Sequence, residues 1–467
     1  MITVNIGRTF LKAYNRKYEK ELTAKEFFEQ EYFELFFNHP KYLQWPTNSP
    51  FVQMKKGQKP ELLNLGERKE KLENLHSKIA AGDKDASIAI GFPASEIKEF
   101  ATTSGLISDL ELSFDHEDIY LSWIGSGLSV GVAGGLSILF DQADVLLQTY
   151  EGWKVYRQFL NDPVLEKLAG NKITSWNGQW LSYAFSRNFR EYFDFASLEN
   201  LGFFKMDKTD MVIETVKWSR LFFNLSRHFS DRTHTGYIFS LGQTNKTLGF
   251  YPFKFQQARR IIEFYKKLFG ENAAMKDAGY YENMYGIHIK RACELGAIGI
   301  QALEPEGLRK YFDKDKMPNL KKSPVSQKNG QTDEEFDSIL QEAEKKDYEN
   351  KIIPFRIYKT WLLAMITKNK EELSDYTQEI AKAIYEYRAA DKKGSTKRSN
   401  VVQKQLFVSK SKKTFLEALT EIISEVDENQ LLMFKELRDR IHLMNNEDFG
   451  YFVVLLKFDY AYQERIS

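Results

Sequence analysis

The sequence predicts an α+β protein, with a mixed α/β N-terminal domain followed by an all-α C-terminal helical bundle. Three observations predict it. Short β-like runs, "SIAIGF", "DLELSF", "DIYLSWI" and "LSILFD", fall in the front part of the chain. A polar stretch with three prolines and no apolar period, "EPEGLRKYFDKDKMPNLKKSPVSQKNGQ", follows around 304–330 and reads as a linker or long loop. From about 350 onward, apolar residues recur at three- and four-residue spacing between short polar breaks, the pattern of a bundle. The 467 residues exceed one ordinary core. The expected domains are therefore 1–330 and 331–467.

The front domain opens with "ITVNI", which reads as a short strand, and continues into a helix through "AKEFFEQEYFELFF". "WPTNSPFVQMKKGQKP" (45–60) holds three prolines and a glycine and must be a loop, with Lys55, Lys56 and Lys59 at its tip. "GERKEKLENLHSKIAAG" (66–82) reads as an exposed helix with Gly82 beyond its end.

The segment 119–141, "IYLSWIGSGLSVGVAGGLSILFD", packs five glycines between apolar runs. A Walker loop would end in Gly-Lys-Ser/Thr, and none follows. Gly125 and Gly127 begin a G-x-G, but the next glycine, Gly131, lies one place too far for a dinucleotide fingerprint. The segment reads as strand, glycine-rich bend, strand. Amides left bare at Gly127 and Gly131 would suit close approach of a nucleic-acid backbone.

Residues 142–170 return to helix. "SWNGQWLSYAFSRNFREYFDF" reads as a turn at Asn177-Gly178, then aromatics interleaved with Arg187 and Arg190, either base-stacking groups or core rings with a charged outer face. "MVIETVKWSRLFFNLSRHF" reads as a helix. "TGYIFSLGQTNKTLGFYPF" reads as a hairpin bent around Asn245 and Lys246, and "FQQARRIIEFYKKLFG" as an amphipathic helix with a basic face.

Between Lys382 and Lys413, ten Lys or Arg stand against two acids. Lys392, Lys393, Lys397, Arg398, Lys410, Lys412 and Lys413 lie in a Ser- and Gly-containing break between helices. Such a run either follows a phosphate backbone or is a solvated loop. The whole chain carries only +1, so it is not a general polyanion binder. Aromatic residues make up 14%, which suits large cores or stacking surfaces.

The single cysteine, Cys293, excludes an internal disulfide framework and a Cys-rich zinc site, and fits a reducing cytoplasm. The N-terminus has no apolar signal core, and no run is long enough for a membrane span. Seven histidines are scattered, with no H-E-x-x-H, no convincing metal spacing and no G-x-S-x-G. Arg227 and His234 have the loose spacing of metal-independent helical ribonucleases, in which the histidine moves a proton and the arginine holds the phosphate. Neither catalysis, metal nor cofactor is expected.

"TNSPFVQMKKGQKP", "YLSWIGSGLSVGVAGGLSI", "SWNGQWLSY" and "FGYFVVLLKFDYAY", in that order, resemble the large subunit of type I CRISPR interference (Cascade) complexes, most like the subtype I-B form. The resemblance spreads over most of the chain and rests on texture and order. It implies a non-enzymatic protein that sits with guide RNA, a backbone subunit and a guide-end-binding subunit. Such a protein reads the short motif beside the target in duplex DNA, supports R-loop formation and recruits a helicase-nuclease. Some I-B relatives carry paired CxxC motifs. This chain lacks them, so no zinc is carried over. The resemblance also implies that the bundle is sometimes made a second time from an internal start, for which Met317 is placed at the linker. The rivals are the ribonuclease and a helical scaffold whose basic loop contacts only protein.

Overall fold

The computed structural model describes residues 1–46, 49–82, 115–240, 246–313, 316–326, 332–366, 370–390 and 393–467. They form two compact units, 1–258 with 287–302, and 259–286 with 303–467. The architecture is α+β. The expected domain change near 330 falls inside the second unit. The expected strands "SIAIGF" and "DLELSF" lie outside the described residues, as do Asn245 and Lys392.

The first unit holds an antiparallel sheet of β1 (Val130–Val132), β2 (Leu136–Phe140), β5 (Thr233–Ser240) and β6 (Lys246–Lys254), in the order β1-β2-β5-β6. A separate hairpin pairs β3 (Phe204–Asp207) with β4 (Asp210–Ile213). The β1–β2 turn requires glycine: Gly134 and Gly135 adopt φ of 92° and 71°, which other residues rarely tolerate. The hairpin expected around 235–253 is present as β5 and β6.

Three expected elements differ. "ITVNI" is not a strand but the start of the helix Ile2–Tyr18. "IYLSWI" is not a strand but part of the helix His116–Gly127, begun by Asp115, whose side chain accepts from the Glu117 N–H, and by Glu117 and Asp118 in its first turn. Only the second half of the glycine segment is strand–bend–strand. Asn177-Gly178 is not a turn but the interior of the helix Ile173–Ala184. In addition, "MVIETV" is β4 and its exit, so the helix there shortens to Trp218–His228.

One cause covers the first two differences. Side-chain identity favours strand in both runs, but a close helix pair overrides it. A Cβ on Gly7 would lie 2.1 Å from Leu121 O, and one on Gly125 1.9 Å from Thr3 O. The two helices thus meet backbone to backbone, with Thr3, Val4 and Ile6 of the first run and all of the second buried. Around them, Phe10, Phe27, Tyr32, Phe36, Trp123 and Trp153 form the centre of an aromatic core.

The second unit is mainly helical, with the expected bundle helices in Ile353–Met365, Lys370–Ala389, Lys412–Ile423, Glu428–Leu443 and Asn446–Ile466, and with the acidic stretch before them also helical over Asp333–Asp347. Its core contains an ion pair, Lys359 Nζ to Asp459 Oδ1 at 2.6 Å, with Thr377 Oγ1 donating to Asp459 Oδ2 at 2.7 Å. Three helices are tied by this fully buried set.

Candidate nucleic-acid interface

The loop 45–60 is braced from beneath. Phe51 is buried and stacks on Phe37 at 4.0 Å between ring centroids. Lys71, on the helix Leu65–Ala80, turns inward and donates to Pro50 O at 3.1 Å and to Gln53 O at 2.6 Å. Gln58 donates to Glu67 Oε1 at 3.1 Å and accepts from the Lys55 N–H at 3.1 Å. Gly57, at φ 87°, closes the tip. Lys55, Lys56 and Lys59 are exposed on this rigid support. Lys55 approaches Glu70 at 3.8 Å, with both side chains mostly in water, so that pair contributes little.

Gly127 and Gly131 are buried, and their expected role as bare amides is corrected. A Cβ on Gly127 would meet the rings of Tyr32 and Phe36, and one on Gly131 the backbone at Thr174. Asn177 explains why the segment is held so closely: its Nδ2 donates to Gly127 O at 2.8 Å and to Ser129 O at 2.9 Å. Its neighbour Gly178 has no room for a side chain, since a Cβ there would lie 2.2 Å from Gly131 O. The glycine segment and "SWNGQW" are thus one interlocked core element. The exposed glycines are Gly134 and Gly135, at the β1–β2 turn. Lys246 opens β6 opposite Ser240.

The basic segment is not an open break. Ser395–Asn400 and Val401–Leu406 are helical. Its cations divide by neighbour. Lys397 pairs with Glu425 at 2.6 Å. Arg398 is buried, at 9% exposure, and donates to Lys393 O at 3.3 Å. Lys412 donates to His442 O at 3.3 Å and to Met444 O, satisfying carbonyls at the end of the helix Glu428–Leu443. Lys413 stands 3.9 Å from Glu417, with 85% of its side chain exposed. Lys393 and Lys410 are exposed and form no ion pair among the described residues, and the same holds for Lys404, which the sequence reading passed over although it lies in the same run.

Lys410 borders a cleft of about 250 Å³. Tyr311, Phe312, Phe407 and Phe449 supply rings, Ser409 and Asn446 supply polar edges, and Lys457 lies in the wall with its Nζ 3.2 Å from Tyr311 O. Such a cleft can hold an anionic group at its rim and an apolar or aromatic group inside. It contains no acid–base pair.

Arg227 donates to Asn224 Oδ1 at 2.6 Å. The His234 ring lies 4.5 Å from Phe229 and 5.7 Å from Phe255 between centroids, and burial, with Arg232 adding, lowers its pKa. A histidine that resists protonation is a poor general acid near neutral pH. Among the described residues, no three His, Cys, Asp or Glu side chains are grouped to hold a metal ion, and no helix is long and apolar enough to cross a membrane. No family model, curated protein or solved structure matches this chain.

Proposed function

We propose that this chain is the non-catalytic large subunit of a CRISPR RNA-guided surveillance complex. It acts in the cytoplasm with guide RNA, a backbone subunit and a guide-end-binding subunit. It reads the target-adjacent motif in duplex DNA, supports the R-loop and recruits a helicase-nuclease. Guide pairing reads the rest of the target, so the protein needs few base contacts of its own.

The braced lysine loop carries this reading. Lys71 satisfies Pro50 O and Gln53 O from beneath and so fixes the loop that presents the three lysines outward. The brace lowers the ordering cost of presenting Lys55, Lys56 and Lys59 to a groove or phosphate. Ribonuclease chemistry is less well supported, because His234 lies among rings and favours its neutral form.

The test is assembly with guide RNA and partner subunits, followed by target-duplex binding. The Lys55→Ala/Lys56→Ala/Lys59→Ala variant should assemble normally and bind the duplex at least tenfold more weakly. The Lys393→Ala/Lys404→Ala/Lys410→Ala variant should flatten the slope of log affinity against log salt by about two units if all three meet phosphate, without changing which motif is preferred. Unchanged duplex binding by the first variant removes the loop from the site. Failure of the unaltered chain to join the guide-RNA complex overturns the proposal.

A further inference from the structure

Residues 185–194 join the helix Ile173–Ala184 to the helix Phe195–Asn200. Both ends of this loop are fixed. Phe193 packs on Trp180 and on Tyr183, at 5.6 Å between centroids in each case. The buried Tyr183 accepts from the Arg190 N–H at 3.3 Å. Asp194 begins the next helix by accepting from the Ser197 N–H at 2.8 Å.

Between these anchors the loop turns outward. Tyr192 is 91% exposed and Phe189 39%. A lone exposed ring needs no explanation. Here the rings stand in a loop with Arg187 and Arg190, both exposed, and neither guanidinium forms an ion pair or side-chain hydrogen bond among the described residues. Glu191, in the same loop, neutralises neither of them through an ion pair among those residues, and Asp194 is engaged in its cap. Arg227 lies close by: burial first, then the charge of Arg187, hold its pKa down to about 10. The patch therefore joins two exposed guanidinium groups without ion pairs among the described residues to the open face of Tyr192. Phe189 packs inward on Tyr183 at 5.4 Å, and Glu191 and Asp194 bring the loop's formal charge to zero.

We propose that the 185–194 loop is a binding site for single-stranded nucleic acid, with Tyr192 stacking on an unpaired base and Arg187 and Arg190 on the adjoining phosphates. Unpaired bases are the fitting partner because each presents a free face, whereas in a duplex that face is covered by its neighbour. Arginine adds planar contacts to phosphate and base. This site goes beyond the duplex-reading role of the lysine loop and does not depend on it.

The test uses the isolated full chain and a short fluorescent oligothymidylate, followed by anisotropy. Tyr192→Ala should weaken binding about tenfold, in the range that one lost base stack produces, and Tyr192→Trp should restore it. Arg187→Ala/Arg190→Ala should lower the salt slope by about 1.4 units if each arginine meets one single-strand phosphate. Tyr192 is almost wholly in water, so its variants should melt like the unaltered chain. The same strand annealed to its complement should bind more weakly than the single strand. Absence of single-strand binding, or equal affinity in Tyr192→Ala, overturns the site. Displacement of the oligonucleotide by polyglutamate with no effect of Tyr192→Ala would likewise overturn it and point to an acidic protein partner. None of these outcomes touches the lysine loop, so the two proposals fail separately.

Discussion

His39 accepts from the Lys41 N–H at 2.9 Å, in a half-buried site that also holds Arg157. Burial, reinforced by the Arg157 charge, lowers its pKa from the ordinary 6.5 to about 4. The fold therefore favours neutral imidazole, and below pH 6.5 the unfolded chain takes up the proton first. The contribution is intact above pH 6.5 and is lost as the pH falls toward 4. His76 and His234 are shifted the same way, both mainly by burial. His39→Asn keeps an acceptor but no titratable ring, so thermal midpoints measured between pH 6.5 and 4 should fall less steeply than in the unaltered chain. An equal slope would mean that His39 does not set it. At this scale, the sequence shows what a residue can do but not whom it meets. Lys55, Lys56 and Lys59 are legible because prolines and a glycine force their segment outward. Lys71, Arg398 and Lys412 look like the same solvated cations, yet each is turned onto backbone carbonyls. Only folding brings those carbonyls close, so no local pattern announces them.

At the scale of the element, periodicity carried the helices of the bundle and the β5–β6 hairpin, where local preference and tertiary environment agree. It misread "ITVNI" and "IYLSWI" because β-branched and aromatic residues also suit the buried face of a helix, and in "IYLSWI" every residue is buried. The missing information lay in Gly7 and Gly125, which are far apart in sequence and meaningful only as a facing pair. Gly125→Ala should force apart two backbones now in contact and cost about 1–3 kcal/mol or more, the usual range for overpacking. Gly450→Ala is the contrasting case. Gly450 lies inside the helix Asn446–Ile466, and its added Cβ would meet nothing within 4 Å. That change should be neutral or stabilise by up to about 1 kcal/mol, because alanine is the better helix former. The urea midpoint should fall in Gly125→Ala and hold or rise in Gly450→Ala. A Gly125→Ala midpoint at or above that of the unaltered chain would show that the helix pair can separate freely.

For the whole molecule, the polarity of 304–330 suggested a boundary, and the structure shows why polarity alone misleads there. The described part of this stretch is fastened to the second unit. Arg465 donates to Leu320 O at 2.6 Å and Tyr358 to Glu306 O at 2.7 Å, and just before the stretch Trp361 Nε1 donates to Leu303 O at 2.7 Å. Further upstream, Asp277 is buried and accepts from Tyr265 at 2.5 Å, Tyr348 at 2.9 Å and Arg356 at 3.1 Å. A bundle begun at Met317 would keep Tyr348, Arg356, Tyr358 and Trp361 but lose Asp277, Glu306 O and Leu303 O, leaving Arg356 only Tyr348 Oη at 2.8 Å. Cutting the chain there opens these donors to water, so each lost hydrogen bond costs its net contribution, about 0.5–1.5 kcal/mol, or about 1.5–3 kcal/mol for the charged one. Together with the apolar packing lost around them, these bonds are a large fraction of the stability of an ordinary domain, about 5–15 kcal/mol. The piece 317–467 should therefore melt without a cooperative transition, whereas 259–467 should melt cooperatively, as followed by circular dichroism. A sharp transition in 317–467 matching that of the longer piece would show that the upstream acceptors are dispensable. It would restore a boundary near 330 and the possibility of a separately made bundle.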